Sequence, residues 1–161
     1  MKKLIAVLAV LMVLGTSSVF ALAIGAQGGY TVGGSGNGAL TFKLDDVPCV
    51  FAVDACFGNY TSIGVTADWW IANPSISGPW GWYFGPGVAG AFSFANNWTR
   101  VDIAPRVVIG TNVFLLDNFL ELYLQAAWQP TFHIWLSGGG EGAAKFDFLY
   151  IPINFGFRFW F

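Results

Sequence analysis

The chain has 161 residues, 55% of them apolar and 10% charged, with 7 basic and 9 acidic side chains, where a typical soluble domain carries roughly 25% charged residues. An aromatic content of 18% excludes a disordered chain. The 21 glycines and 7 prolines are spread through the apolar stretches and exclude a bundle of membrane helices, which leaves strands as the means of residing in a membrane.

The first element is the N-terminal run. Lys2 and Lys3 precede an apolar stretch over 4–14, and small or polar residues lead to Ala21. This pattern predicts a secretory signal peptide over 1–21, cleaved after Ala21. No cysteine follows the cut, so no lipoprotein anchor is expected. Loss of Lys2 and Lys3 leaves five basic residues against 9 acidic ones, and that balance gives nucleic acid no reason to bind. Residues 22–161 are then expected to form one domain.

Strands follow in order. Those at 22–30, 38–44 and 49–56 turn Gln27, Lys43 and Asp54 inward, and the strand at 62–72 turns Thr66 and Asp68 inward. The stretch 69–99 has no charged residue and imitates a membrane helix, but Pro74, Pro79, Pro86 and five glycines forbid one. Within it, 80–95 alternates large apolar residues with Gly, Ala and Ser. Over 100–109, Arg100, Asp102 and Arg106 share one parity, with Val101, Ile103 and Val107 on the other. Over 119–134, Leu120, Leu122, Leu124 and Trp128 alternate with Glu121, Tyr123, Gln125 and His133, and 149–161 sends Phe155, Phe157, Phe159 and Phe161 outward with Arg158 inward.

That makes eight strands. The 140 residues left after cleavage accommodate eight of about 9–11 residues with short turns, whereas twelve would not fit. The predicted fold is all-β: an eight-stranded antiparallel up-and-down transmembrane β-barrel with a side-chain-filled polar lumen. Turns near Asp45-Asp46, Asn73-Pro74 and Asp117-Asn118 fall at the periplasmic end, and short outer loops fall at 31–37, 57–61, 96–98 and 136–144. Aromatic girdles are expected from Trp69, Trp80, Trp82, Phe159 and Phe161 at one end, and from Trp98, Trp128, Phe132 and Trp135 at the other. Pro86, Pro105, Pro130 and Pro152 lie inside these strands and require bulges or strand ends.

Taken together, the signal peptide, the alternating strands and the terminal Phe155-Gly156-Phe157-Arg158-Phe159-Trp160-Phe161 resemble the small eight-stranded bacterial outer-membrane barrels of the OmpX and OmpA transmembrane-domain type. Phe42-Lys43-Leu44-Asp45-Asp46 and 151–161 also resemble a little-characterised group of spirochaete outer-membrane barrels. The resemblance implies residence in the bacterial outer membrane among its lipids. It also implies that Phe157, Phe159 and Phe161 form the signal read by the outer-membrane assembly machinery. The outer loops are shorter than in adhesin-like members, and no cell-wall-binding domain is expected.

By parity the lumen receives Lys43, Arg100, Arg106 and Arg158 against Asp54, Asp68, Asp102 and Glu121. Buried charges of this kind must be paired, and an eight-stranded barrel is just wide enough for side chains to fill it. A charge-filled plug and a narrow polar channel both fit that list. The function expected is a non-enzymatic membrane barrel with a structural or cell-surface role, adhesion or the binding of an extracellular protein. The alternative is a narrow pore or carrier for small solutes or apolar ligands. His133, the single histidine, has Ser137 close by and Asp147 across the hairpin, but Asp147 falls on the outward parity, so no catalytic residue is assigned.

Cofactor and metal sites are likewise unassigned. Cys49 and Cys56 are roughly 23 Å apart along one strand and cannot bridge, and Gly138-Gly139-Gly140-Glu141-Gly142 lacks the lysine and helix of a phosphate loop. Strand pairing about the last hairpin predicts Glu121 opposite Arg158, and pairing about a turn near Ser75 predicts Asp68 close to Tyr83.

Overall fold

Residues 21–32, 34, 36–57, 60–138 and 144–161 are described by a computed structural model. The expected signal peptide, apart from Ala21, and most of the glycine-rich loop lie outside these residues.

The described residues contain no helix. They form β1 (Leu22–Thr31), β2 (Gly36–Leu44), β3 (Cys49–Phe57), β4 (Thr61–Trp69), β5 (Ser75–Ser77), β6 (Trp80–Ala95), β7 (Trp98–Leu115), β8 (Leu120–Trp128), β9 (Thr131–Ser137), β10 (Ala144–Asp147) and β11 (Pro152–Trp160). β8 with β9 makes one interrupted stave and β10 with β11 another, while β5 is a short annex on β6. Consecutive staves pair antiparallel. β1 then pairs with β11, from Ala23 opposite Trp160 to Thr31 opposite Pro152, which closes an eight-stave barrel. Leu22 and Phe161 seal the seam by exchanging backbone hydrogen bonds.

Each of the four prolines lies where the ladder on one flank of its strand stops, although Pro86 and Pro105 remain within the unbroken β6–β7 ladder, opposite Val107 and Val88. The β4–β6 ladder ends at Asp68 opposite Gly87, beside Pro86. On β7, pairing with β9 ends at Ile103 and pairing with β8 begins at Val107, so Pro105 faces the Gln129-Pro130 interruption. Pro152 opens β11.

These two interrupted staves behave differently. β8 and β9 hold one register against β7, so the parity of 119–134 survives Pro130. Between β10 and β11 the register slips by one residue: Lys145 and Asp147 face the inward His133 and Thr131, whereas below the break Asn154 and Arg158 are the inward positions. The expectation that Asp147 points outward is therefore corrected, because the slip at 148–151 reverses the faces.

The outer wall is apolar all round. Leu40, Val53, Ile63, Val65, Val88, Ile103, Ile109, Leu124, Phe155 and many others expose large hydrophobic side chains, far beyond what a water-facing monomer tolerates. A nine-residue strand such as β11 rises about 3.3 Å per residue and tilts about 40°, so it spans roughly 23 Å, close to the apolar band of membrane barrels. Two of the expected girdle residues are not part of that wall. Trp98 and Trp135 are half-buried, and both rings pack against Arg100 inside the barrel mouth. Trp128 and Phe132 do face outward.

Candidate functional site: a plugged lumen beneath an open cup

The inward face of every stave alternates with its lipid face, so the lumen is built from every second residue. It has two distinct halves.

At the end carrying Leu22 and Phe161, Arg158 and Glu121 face each other in register. Arg158 Nη1 lies 3.1 Å from Glu121 Oε2, with both side chains 0% exposed. Asn112 Nδ2 donates to Glu121 Oε1 at 3.0 Å, and Trp160 Nε1 donates to Oε2 at 3.2 Å. The guanidinium lies over Tyr123, with Cζ 3.9 Å from the ring centroid. Beside it Trp70 and Tyr83 stack at 3.8 Å and 12°. Lys43 Nζ approaches Trp70 at 5.0 Å and Trp160 at 4.6 Å, which gives this buried cation two π-faces. Tyr123 donates to Gln27 Oε1 at 3.0 Å and Tyr83 to Gln125 Oε1 at 3.1 Å, which ties β8 to β1 and β6 to β8, each across one intervening stave. Together these groups form a side-chain plug.

Glycine makes room for it. A Cβ on Gly110 would fall onto the Tyr83 ring, and one on Gly156 onto Tyr123. At these two positions only the absence of a side chain lets the rings lie flat against the wall.

Above the plug, Arg106 Nε lies 2.9 Å from Asp68 Oδ1, and Arg106 Nη1 donates to Gln129 Oε1 at 3.3 Å. Asp68 has Gly87, not Tyr83, as its partner across the β4–β6 pair. The chain after β4 folds back through the Ala72–Phe84 bridge and β5 before β6 begins, which moves the centre of the pairing. Higher still, Asp102 accepts from Ser93 Oγ at 2.9 Å and pairs with Arg100 Nε at 2.6 Å, and His133 Nδ1 lies 2.7 Å from its Oδ1. The carboxylate thus stands between the serine and the imidazole. A nucleophilic relay needs the imidazole between them, so this cluster positions Arg100 and His133 without activating Ser93. Ser137, by contrast, lies at the strand end opposite Thr99.

All eight charged residues expected in the lumen sit on the inward face, but they form separate groups instead of one network. Glu121 pairs with Arg158, Asp68 with Arg106, and Asp102 with Arg100. Lys43 rests on aromatic rings, and Asp54 has no ion-pair partner among the described residues. Sequence reasoning placed Tyr123 on the inward parity but missed Trp70, although its parity with Asp68 pointed inward. It also missed Lys145 and Asp147, whose inward facing depends on the slip. Phe157, Phe159 and Phe161 lie on the outer wall, where Phe159 and Phe161 pack on Phe119 with centroids at 5.4 and 6.1 Å. Cys49 and Cys56 form no disulfide with each other.

Between Arg106 and the loops the lumen opens into a cup of about 490 Å³. Its walls, among the described residues, include Asp54, Arg100, Gln129, His133, Trp135 and Lys145. The plug closes the cup from below, and the described walls leave it open toward the loops.

No family model matches the chain, and no curated protein resembles it in sequence at a significant level. Among solved structures, the crystal structure of Neisserial surface protein A superposes with a TM-score of 0.50 at 14% identity, covering 88% of this chain and 97% of that one. The fold is that of a small outer-membrane-type β-barrel. A major outer membrane protein from Thermus thermophilus aligns over 89% of this barrel and 100% of its own chain, with 11% identity and a TM-score of 0.44.

Proposed function

We propose that this barrel is an integral protein of a bacterial outer membrane, cleaved after Ala21, with residues 22–161 forming its single domain. Its role is structural or cell-surface interaction, with neither conduction nor catalysis. The observation that carries this reading is the pairing of a fully buried Glu121–Arg158 bridge, walled in by Trp70, Tyr83 and Tyr123, with a cup that, among the described residues, lies on the loop side of it. A pore needs a continuous wet path. Here ion passage would require breaking a desolvated ion pair and displacing stacked rings. Phe157, Phe159 and Phe161, on the outer wall at the closing seam, serve as the segment offered to the assembly machinery, and the loop end presents itself to an extracellular protein.

Planar-bilayer recording of the refolded protein tests the reading. It predicts a quiet membrane, and steady nanosiemens-scale steps would overturn it in favour of a small-solute pore.

A further inference from the structure

The cup above Arg106 is built like a small-molecule site. Its volume of about 490 Å³ falls within the roughly 300–1,000 Å³ of such sites, and its floor is sealed by the plug. Its lining carries charges of both signs, Asp54, Asp102 and Asp147 with Arg100, Arg106 and Lys145, and two of the cations are already paired, Arg100 with Asp102 and Arg106 with Asp68. With those pairs neutralised inside the protein, no surplus of positive charge remains to hold an anion, and the cup's polar groups are left to hydrogen-bond.

Its lining offers hydrogen-bonding groups of both kinds: Arg100, Lys145 and Gln129 can donate, and Asp54, Asp147 and Gln129 can accept. The Asp54 carboxylate has no ion-pair partner among the described residues. Groups that both donate and accept match such a lining best. Hydroxyls do so. At the mouth, Tyr60 and Trp135 line the same cavity. Arg100 holds them in place, its Cζ lying 5.5 and 5.4 Å from their ring centroids. Rigid aromatic faces beside polar groups offer one surface for C–H and another for O–H.

We propose that the cup binds a small neutral polyhydroxylated solute, a mono- or disaccharide. The site rests on the functional reading above only for which side of the membrane it faces.

Calorimetric titration of the full barrel in a zwitterionic, sugar-free detergent tests the proposal with maltose and glucose, and with glutamate and choline as charged comparators. The expected result is saturable binding of a saccharide with a dissociation constant at or below about 10 mM, and no comparable binding of either charged solute. Asp54→Asn, which keeps the shape, and Trp135→Ala, at the half-buried mouth, should each weaken the saccharide by about tenfold or more, with the unfolding midpoint of Asp54→Asn unchanged. No saturable saccharide signal would overturn the proposal, as would tighter binding of glutamate or choline, or full affinity in both variants. Because the measurement needs no bilayer, its failure is distinct from the appearance of conductance, which would overturn the plug instead.

Discussion

Glu121 and Arg158 occupy the same rung of neighbouring staves and meet at 3.1 Å with neither side chain exposed. Both Glu121 oxygens are also hydrogen-bonded, by Asn112 and Trp160, so removal of Arg158 leaves a desolvated carboxylate with neutral donors only. Arg158→Met or Glu121→Gln alone should cost about 3–5 kcal/mol, while Glu121→Leu combined with Arg158→Met should be close to neutral. Urea unfolding of the detergent-refolded variants checks this contrast. Equal losses in the single and double variants would mean that the pair is not an isolated structural bridge.

The glycine at 156 makes a second, sharper prediction. Its missing Cβ is the space into which the Tyr123 ring fits. Gly156→Ala should destabilise the barrel by about 1–3 kcal/mol through overpacking. The same change in a Tyr123→Leu background should cost clearly less. The measurement is the difference in unfolding midpoint between the two backgrounds, and equal penalties would place the strain elsewhere.

Asp54 and Asp102 share the cup but not their surroundings. Asp102 receives Ser93, Arg100 and His133, whereas Asp54 has no ion-pair partner among the described residues. Asp102→Asn should therefore cost about 2–4 kcal/mol, and Asp54→Asn should stay within about 0.5 kcal/mol of the parent. Thermal unfolding followed by circular dichroism separates the two.

If the plug is what blocks the lumen, thinning it should open a path. Tyr123→Ala combined with Tyr83→Ala removes two fully buried rings while leaving the backbone ladders intact, and should produce small channel events in a bilayer where the parent gives none. A silent double variant that retains a β-rich spectrum would assign the block to Trp70 and the ion pairs.

Much of this architecture was legible because period-two alternation survives wherever the register does. From 119 to 134 the inward set is correct straight through Pro130, since β8 and β9 keep one register against β7. The Glu121–Arg158 contact followed from that constancy. Asp147 could not be read in the same way: the one-residue slip between β10 and β11 leaves no mark in composition, yet it reverses a face. Asp68 has Gly87 and not Tyr83 as its cross-strand partner because β5 and the Ala72–Phe84 bridge take up residues that a simple turn would not. Trp98 and Trp135 misled for another reason. Tryptophan near a strand end suits a lipid interface, but Arg100 gives these rings a cation to hold inside. The cup itself had no sequence signal, because it is defined by what the side chains around it fail to fill.

The prolines also matter before the barrel exists. β6 and β7 are runs of 16 and 18 residues, and until they find their neighbours each is an apolar template on which another copy of the chain could pair. Pro86 and Pro105 divide these two runs into shorter lengths, each with a missing donor at the division. In the closed barrel each has a ladder end on one flank of its strand and costs little there. In a chain still travelling through water toward its membrane they act as gatekeepers against fibrils. Pro105→Val should accordingly leave the folded barrel stable but increase its tendency to aggregate during dilution from urea.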